Sequence, residues 1–118
     1  MRQTKYMTLN GKYLKEAEEL LAANDSVQAS EKLWGAVAVA VKAVAADRRW
    51  RHSSHRDLRG AVSRLYRETG DAEYLELFSI AESLHANFYE DFMEPEDVRV
   101  YADRARRLVT KLQALMGA

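Results

Sequence analysis

The 118-residue sequence contains no cysteine. Disulfides, thiolate zinc sites and cysteine nucleophiles are excluded together, and the composition is compatible with a reducing cytosol. Proline occurs once and glycine five times, too few chain breakers for the many turns of an all-β fold. Net charge is missing as well: 18 basic residues balance 18 acidic ones. No global field draws such a chain to nucleic acid or to an anionic membrane, so any contact of that kind must be local. The longest apolar stretch, Gly35 to Val41, falls far short of the roughly 20 residues needed to cross a bilayer. No apolar signal-peptide segment follows the charged stretch from Met1 to Lys5. The expectation is a cytoplasmic protein with no membrane partner and, on the thin supply of ligands, no metal and no cofactor.

What is present is apolar material: 47% of the residues are hydrophobic, enough for one core, and the length suits a single domain over residues 1–118. Tyr13, Leu14, Ala17, Leu20 and Leu21 recur at helical spacing opposite Lys12, Lys15, Glu16, Glu18 and Glu19, which predicts a first amphipathic helix. Asn24 and Asp25 break it, and Asp25 with Gln28 has the form of a capping box opening the next helix. A turn this short predicts antiparallel neighbours.

From Leu33 to Ala46 the only ionisable residue is Lys42. A helix that is apolar or small on nearly every side belongs in the middle of a bundle. The alternation Val37, Ala38, Val39, Ala40, Val41 also has the period of a strand, and its valines favour one locally. Length decides for helix: the alanine-rich context runs from Ala29 to Ala46 without a turn residue, and alanine is the best helix former but is depleted in strands.

A basic connection from Asp47 to Ser54 follows. Ser54 with Asp57 marks the start of a third helix carrying Leu58, Ala61, Val62, Leu65 and Tyr66, and Gly70 stops it. A fourth begins near Asp71, turns Tyr74, Leu77, Phe78, Ala81, Leu84, Phe88 and Tyr89 inward, and ends near Met93, because Glu94 precedes a proline. Pro95 opens a fifth, where its missing N–H is harmless; Glu96 and Asp97 complement the dipole, and Val98, Tyr101, Ala105, Leu108, Val109, Leu112 and Leu115 face inward. The fold class is therefore all-α, a single antiparallel bundle of about five helices around an apolar second helix.

Three constellations could carry chemistry. On the fourth helix, a pitch of about 100° per residue puts His85 near 340° and Tyr89 and Glu82 near 20° and 40°, counted from Phe78. The apolar arc of Leu77, Ala81, Leu84 and Phe88 spans about 240° to 300°. His85 is thus read as inside the apolar arc and not on the solvent face, either a satisfied core histidine or a partly buried one tuned for proton transfer. Asn87, near 180°, is expected to face outward, free for solvent or a ligand. The second constellation is the loop of Arg48, Arg49, Trp50, Arg51, His52 and His55, whose residue types suit gripping RNA phosphates and stacking on bases. Arginines of a solvated loop pairing with neighbouring carboxylates would look the same. The third is Lys32, Trp34 and Lys42 on the central helix: the isolated Lys42 must snorkel to an edge, pair with a carboxylate or meet a ligand, and Trp34 fits a core or interface anchor or a ligand platform.

The run from Tyr13 to Leu21, the segment QASEKLWGA from Gln28 to Ala36 with Val41 to Val44, the pair Ser54 and His55 with Leu58, and the segment AESLHANFYE from Ala81 to Glu90 together resemble the archaeal PaREP1 family. That family looks related to the HEPN superfamily of antiparallel helical bundles, many of them RNA-cleaving or nucleotide-binding and commonly dimeric. The resemblance implies a HEPN-like homodimer binding RNA, a nucleotide or a partner protein. HEPN ribonucleases use an arginine, about four to six intervening residues and a histidine, the two side chains meeting across a dimer cleft to act on the RNA backbone. His85 holds the corresponding place, but Phe78, Ser79 and Ile80 stand where the arginine would be. Without that cation, charge developing on a phosphate loses its stabiliser. Arg49 and His55 have the spacing, but in the loop. The sequence therefore favours a noncatalytic binding module, with candidate ligand contacts at Trp34, Lys42, Glu82, His85, Asn87 and Tyr89 and candidate nucleic-acid contacts at Arg48, Arg49, Trp50 and Arg51. The alternative is a metal-independent endoribonuclease with His85 and loop residues Arg49 or His55 as catalytic groups.

Overall fold

The structure, a computed structural model, describes residues 2–116. Among them are five helices and no strand: α1 (Arg2–Ala22), α2 (Ser26–Asp47), α3 (His55–Thr69), α4 (Glu73–Glu90) and α5 (Pro95–Ala114). The valine-rich segment is helical, in accord with its alanine context, and α2 is the centre of the bundle, with α1, α3, α4 and α5 all packed against it. Leu33, Val37, Ala40, Val41 and Val44 are fully or almost fully buried. The core continues through Leu58, Val62 and Leu65 of α3, Phe78 and Leu84 of α4, and Val98, Leu108 and Leu112 of α5.

α1 and α2 form a hairpin. Asn24 takes a left-handed conformation at φ 62°, which asparagine tolerates, and the Asp25 carboxylate accepts the Gln28 N–H at 3.1 Å, capping α2. Along the hairpin, the buried Asn10 donates to the Ala36 carbonyl at 2.6 Å, and Lys32 pairs with Glu16 at 3.1 Å. The Tyr13 ring of α1 packs over α2 where α2 has no side chain: a Cβ on Gly35 would lie 3.1 Å from that ring.

α3 opens with the anticipated capping box, Ser54 and Asp57 serving each other's backbone, and closes on Gly70 at φ 73°. Tyr66, expected on its inner stripe, is 38% exposed, because it sits at the margin of an arc already filled by Val62 and Leu65. α4 is tied to α5 at its start. Asp71 accepts the Glu73 N–H and pairs with Lys111 at 2.5 Å, while Glu73 receives both arms of the Arg107 fork at 3.0 and 2.8 Å. Hydrogen bonding from Lys111 holds the Asp71 carboxyl below its usual value of 3.8, and hydrogen bonding from Arg107 does the same to Glu73, usually 4.5. A carboxylate depressed in the folded state contributes stability above its unfolded pKa and loses it as pH falls through the folded one. The melting temperature should therefore decline below about pH 4.5. The Asp71→Asn, Glu73→Gln double variant should be less stable at neutral pH and decline less; parallel profiles would contradict this.

The end of α4 differs from expectation. The helix stops at Glu90, not near Met93, with Asp91 left-handed at φ 48°. The cause is Asn87, expected outside but completely buried. Its Oδ1 accepts the N–H groups of Phe92 and Met93 at 2.9 and 2.8 Å, which offers them a partner other than helical carbonyls and ends the helix early. Its Nδ2 donates to Ser30 Oγ at 3.0 Å, and Ser30 in turn donates to the Ser26 carbonyl. Tyr89, expected inside, is 71% exposed: at about 100° per residue it stands well outside the arc of Leu77, Ala81, Leu84 and Phe88. Pro95 stands in the first turn of α5 as anticipated.

Candidate functional site

Trp34 is the floor of the most chemically loaded part of the molecule. The apolar helix α2 holds it in place with 8% of its surface exposed. His55 reaches it because the Ser54 cap fixes the first residue of α3 above it, with ring centroids 4.9 Å apart. His85 lies nearly parallel to the indole at 5.0 Å, and Phe78 meets it edge-on at 5.5 Å. The two imidazole centroids are 6.2 Å apart, and Tyr89 stands against His85 at 5.4 Å as an exposed rim.

Each imidazole has its own carboxylate from a neighbouring helix. Glu31 of α2 meets His85 Nδ1 at 2.8 Å, and Glu82 of α4 meets His55 Nε2 at 2.7 Å. An ionised carboxylate only accepts, so the facing nitrogens carry the protons. The opposite nitrogens, Nε2 of His85 and Nδ1 of His55, have no hydrogen-bond partner among the described residues. Arg59, one helical turn beyond His55, bonds the other oxygen of Glu82 and reaches Ser79 at 3.1 Å over the face of Phe78. The arrangement can orient two imidazoles and present their free nitrogens, but its one guanidinium is already compensated by Glu82.

A groove of about 380 Å³ runs along α2 from this cluster. Trp34 and Glu31 close one end, Tyr13 of α1 and Phe88 of α4 wall it, and Gly35 and Ala38 keep its floor low. Gln28 adds an amide. Lys32 lines it too, but is held by Glu16 and lies over the Tyr13 ring. Lys42 lines the far end and has no ion-pair partner among the described residues. Helical side chains lean toward their own N-terminus, so Lys42 leans back along the groove toward Glu31.

The structure thus brings Trp34, Glu82, His85, Tyr89 and His55 together and puts Lys42 in the adjoining groove; Asn87 lies beneath, its amide engaged within the fold. The loop residues gather elsewhere. Arg48 pairs with Glu68 at 3.1 Å and lies over Trp50, Arg51 lines a separate basin beside Trp50, and Arg49 is exposed at a left-handed φ of 61°. Of the residues in and after the basic connection, only His55 joins His85. Sequence reading missed Glu31, Arg59, Tyr13 and Phe88 as site residues. Glu31 and Trp34 share a helix face, as do His55 and Arg59, but that spacing becomes a signal only once the docking of three helices is known. Among the described residues no group of three or more His, Asp or Glu side chains could hold a metal ion, and no helix is long and apolar enough to cross a membrane.

Fold and site define a small all-helical bundle protein with a paired-imidazole cluster beside an open groove. The chain belongs to the archaeal PaREP1/PaREP8 family, whose profile matches residues 5–109. Its fold is similar to that of a Sulfolobus solfataricus protein of known crystal structure, with a TM-score of 0.80 and 24% identity over 90% of this chain and 94% of that one. No curated protein matches the sequence.

Proposed function

We propose that this protein is a noncatalytic, HEPN-like binding module that takes a nucleotide in the groove between Trp34 and Lys42. The observation that carries the reading is the groove itself: aromatic walls from Tyr13 and Phe88, acceptors at Glu31 and Gln28 where a base would present its donors, and an uncompensated cation, Lys42, where a phosphate would lie. A volume of about 380 Å³ falls within the range of small-molecule sites. The base sits against the aromatic walls at the Trp34 end, with His85 Nε2 free to add a hydrogen bond. The exposed Tyr89, Phe92 and Val100 supply apolar surface for a second copy, in a homodimer.

Calorimetric titration with the four nucleoside monophosphates tests this. At least one should bind, and Lys42→Ala should weaken it about tenfold, the loss expected for one charge-assisted contact to phosphate, with Lys42→Arg recovering most of it. Absence of binding, or indifference to Lys42→Ala, would sink the reading.

A second reading, an endoribonuclease using His55 and His85 as base and acid, draws on their 6.2 Å separation. Against it stands the compensated Arg59: no free cation adjoins the pair to stabilise a developing phosphorane charge. Cleavage of single-stranded RNA that disappears in His85→Ala and in His55→Ala would establish the enzyme instead.

A further inference from the structure

The loop after α2 and the first turns of α3 enclose a basin of about 320 Å³ lined by Trp50, Arg51, Arg56, Asp57, Gly60 and Arg64. In a chain without net charge, four guanidinium groups collect here, Arg51, Arg56 and Arg64 in the lining and Arg48 over the Trp50 ring. The carboxylates nearby are Asp47, Asp57 and Glu68. Glu68 is shared by Arg48 and Arg64, at 3.1 and 3.4 Å. Asp57 is turned inward to the capping box, accepting from the backbone of Ser53 and Ser54, and the Ser54 contact leads the causes that hold its pKa low. Arg51 and Arg56 are exposed and have no ion-pair partner among the described residues.

Two residues of this region run against what the fold asks for. Gly60 lies inside α3, where glycine costs about 1 kcal/mol relative to alanine, yet a Cβ there would meet nothing within 4 Å. Packing does not require the glycine, and its bare backbone leaves room for close approach from outside. Arg49 occupies the left-handed position that ends α2, a place glycine or asparagine fills at less cost. The chain keeps a cation there. Departures from local preference without a structural reason concentrate at functional sites.

We propose that this basin is a docking surface for the phosphate backbone of single-stranded nucleic acid. It stands independently of the nucleotide groove. Arg64 and Arg48 lie over the Trp50 ring at 4.4 and 5.3 Å, which fixes their planes before a ligand arrives and reduces the ordering cost of binding. Guanidinium forks match phosphate oxygens in pairs. A flexible single strand can bend into a concave basin and lay unstacked bases on arginine planes, which a stiff duplex cannot do. Gly60 lets the strand approach the helix.

Fluorescence anisotropy with a labelled single-stranded RNA of about 12 nucleotides tests this across a salt series. Three phosphate contacts predict a log–log salt slope of about −2. Replacing both Arg51 and Arg56 by alanine should reduce affinity at least tenfold and flatten the slope by about 1.4. Gly60→Ala should raise the melting temperature while weakening RNA binding several-fold, a pairing that a purely structural glycine would not give. The Arg51 and Arg56 double variant should leave nucleoside monophosphate binding unchanged, because neither residue lines the groove, so that failure of the groove and failure of the basin are separable. The proposal is overturned if the arginine variant retains full affinity and slope, if Gly60→Ala binds as tightly as the parent, or if duplex RNA or an acidic peptide of equal charge competes as well as the single strand.

Discussion

Truncation of Trp34 to alanine is expected to destabilise the protein by about 3–5 kcal/mol, the range for removing a large aromatic from a core, and to dismantle the imidazole cluster at the same time. The indole is almost fully buried and is the one side chain that touches Phe78, His55 and His85 together. Deleting it opens a cavity where α2, α3 and α4 meet. Urea unfolding followed by circular dichroism gives the free energy, and the imidazole proton resonances report whether His55 and His85 keep distinct environments. Trp34→Phe should restore most of the stability, because it keeps an aromatic surface under both rings. A loss below about 1 kcal/mol in Trp34→Ala would mean that the indole is not the buried anchor described here.

Asn87→Ala should cost about 2–4 kcal/mol despite removing few atoms. One amide serves three partners: the backbone N–H groups of Phe92 and Met93 and the hydroxyl of Ser30. Alanine leaves them without their acceptor and donor at a site closed to solvent, and each unsatisfied buried group costs about 1–3 kcal/mol before water or local fraying relieves it. The turn from α4 to α5 depends on this amide, so amide exchange at Phe92 and Met93 should accelerate by more than global destabilisation explains. Asn87→Asp keeps an acceptor for both backbone groups but offers no donor to Ser30, and should fall between. If Asn87→Ala unfolds at the same urea concentration as the parent, the buried network contributes nothing.

The order of the helices was legible because each boundary carries its own chemistry. Asp25, Ser54, Gly70 and Pro95 mark ends by hydrogen bonding or dihedral preference alone, and all four act as their residue types suggest. The central position of α2 followed from its single ionisable residue. Asn87 was misplaced for a reason that wheel geometry cannot contain: the angular position was right for a straight surface helix, but the chain turns back beneath it and closes that side. Tyr89, also expected inside, lies within α4 on the flank of its apolar arc, where its ring meets His85 and stays exposed. At the site, Trp34, His85 and Glu82 stood out by type, and His55 belonged to the basic segment on sequence grounds. That it leaves those arginines and joins His85 is a product of tertiary docking, as are the Glu31 and Arg59 contacts, whose partners lie 54 and 23 residues away.

The central claim is that the Trp34–Lys42 groove holds a nucleotide, and the sequence contains two tryptophans that report the two regions separately. The measurement to make is a two-dimensional NMR titration of the indole N–H resonances with nucleoside monophosphates. The Trp34 resonance should shift progressively and saturate while that of Trp50 stays in place, and Lys42→Ala should move the midpoint to higher ligand concentration. A stationary Trp34 resonance at saturating nucleotide, or a shift confined to Trp50, would contradict the account.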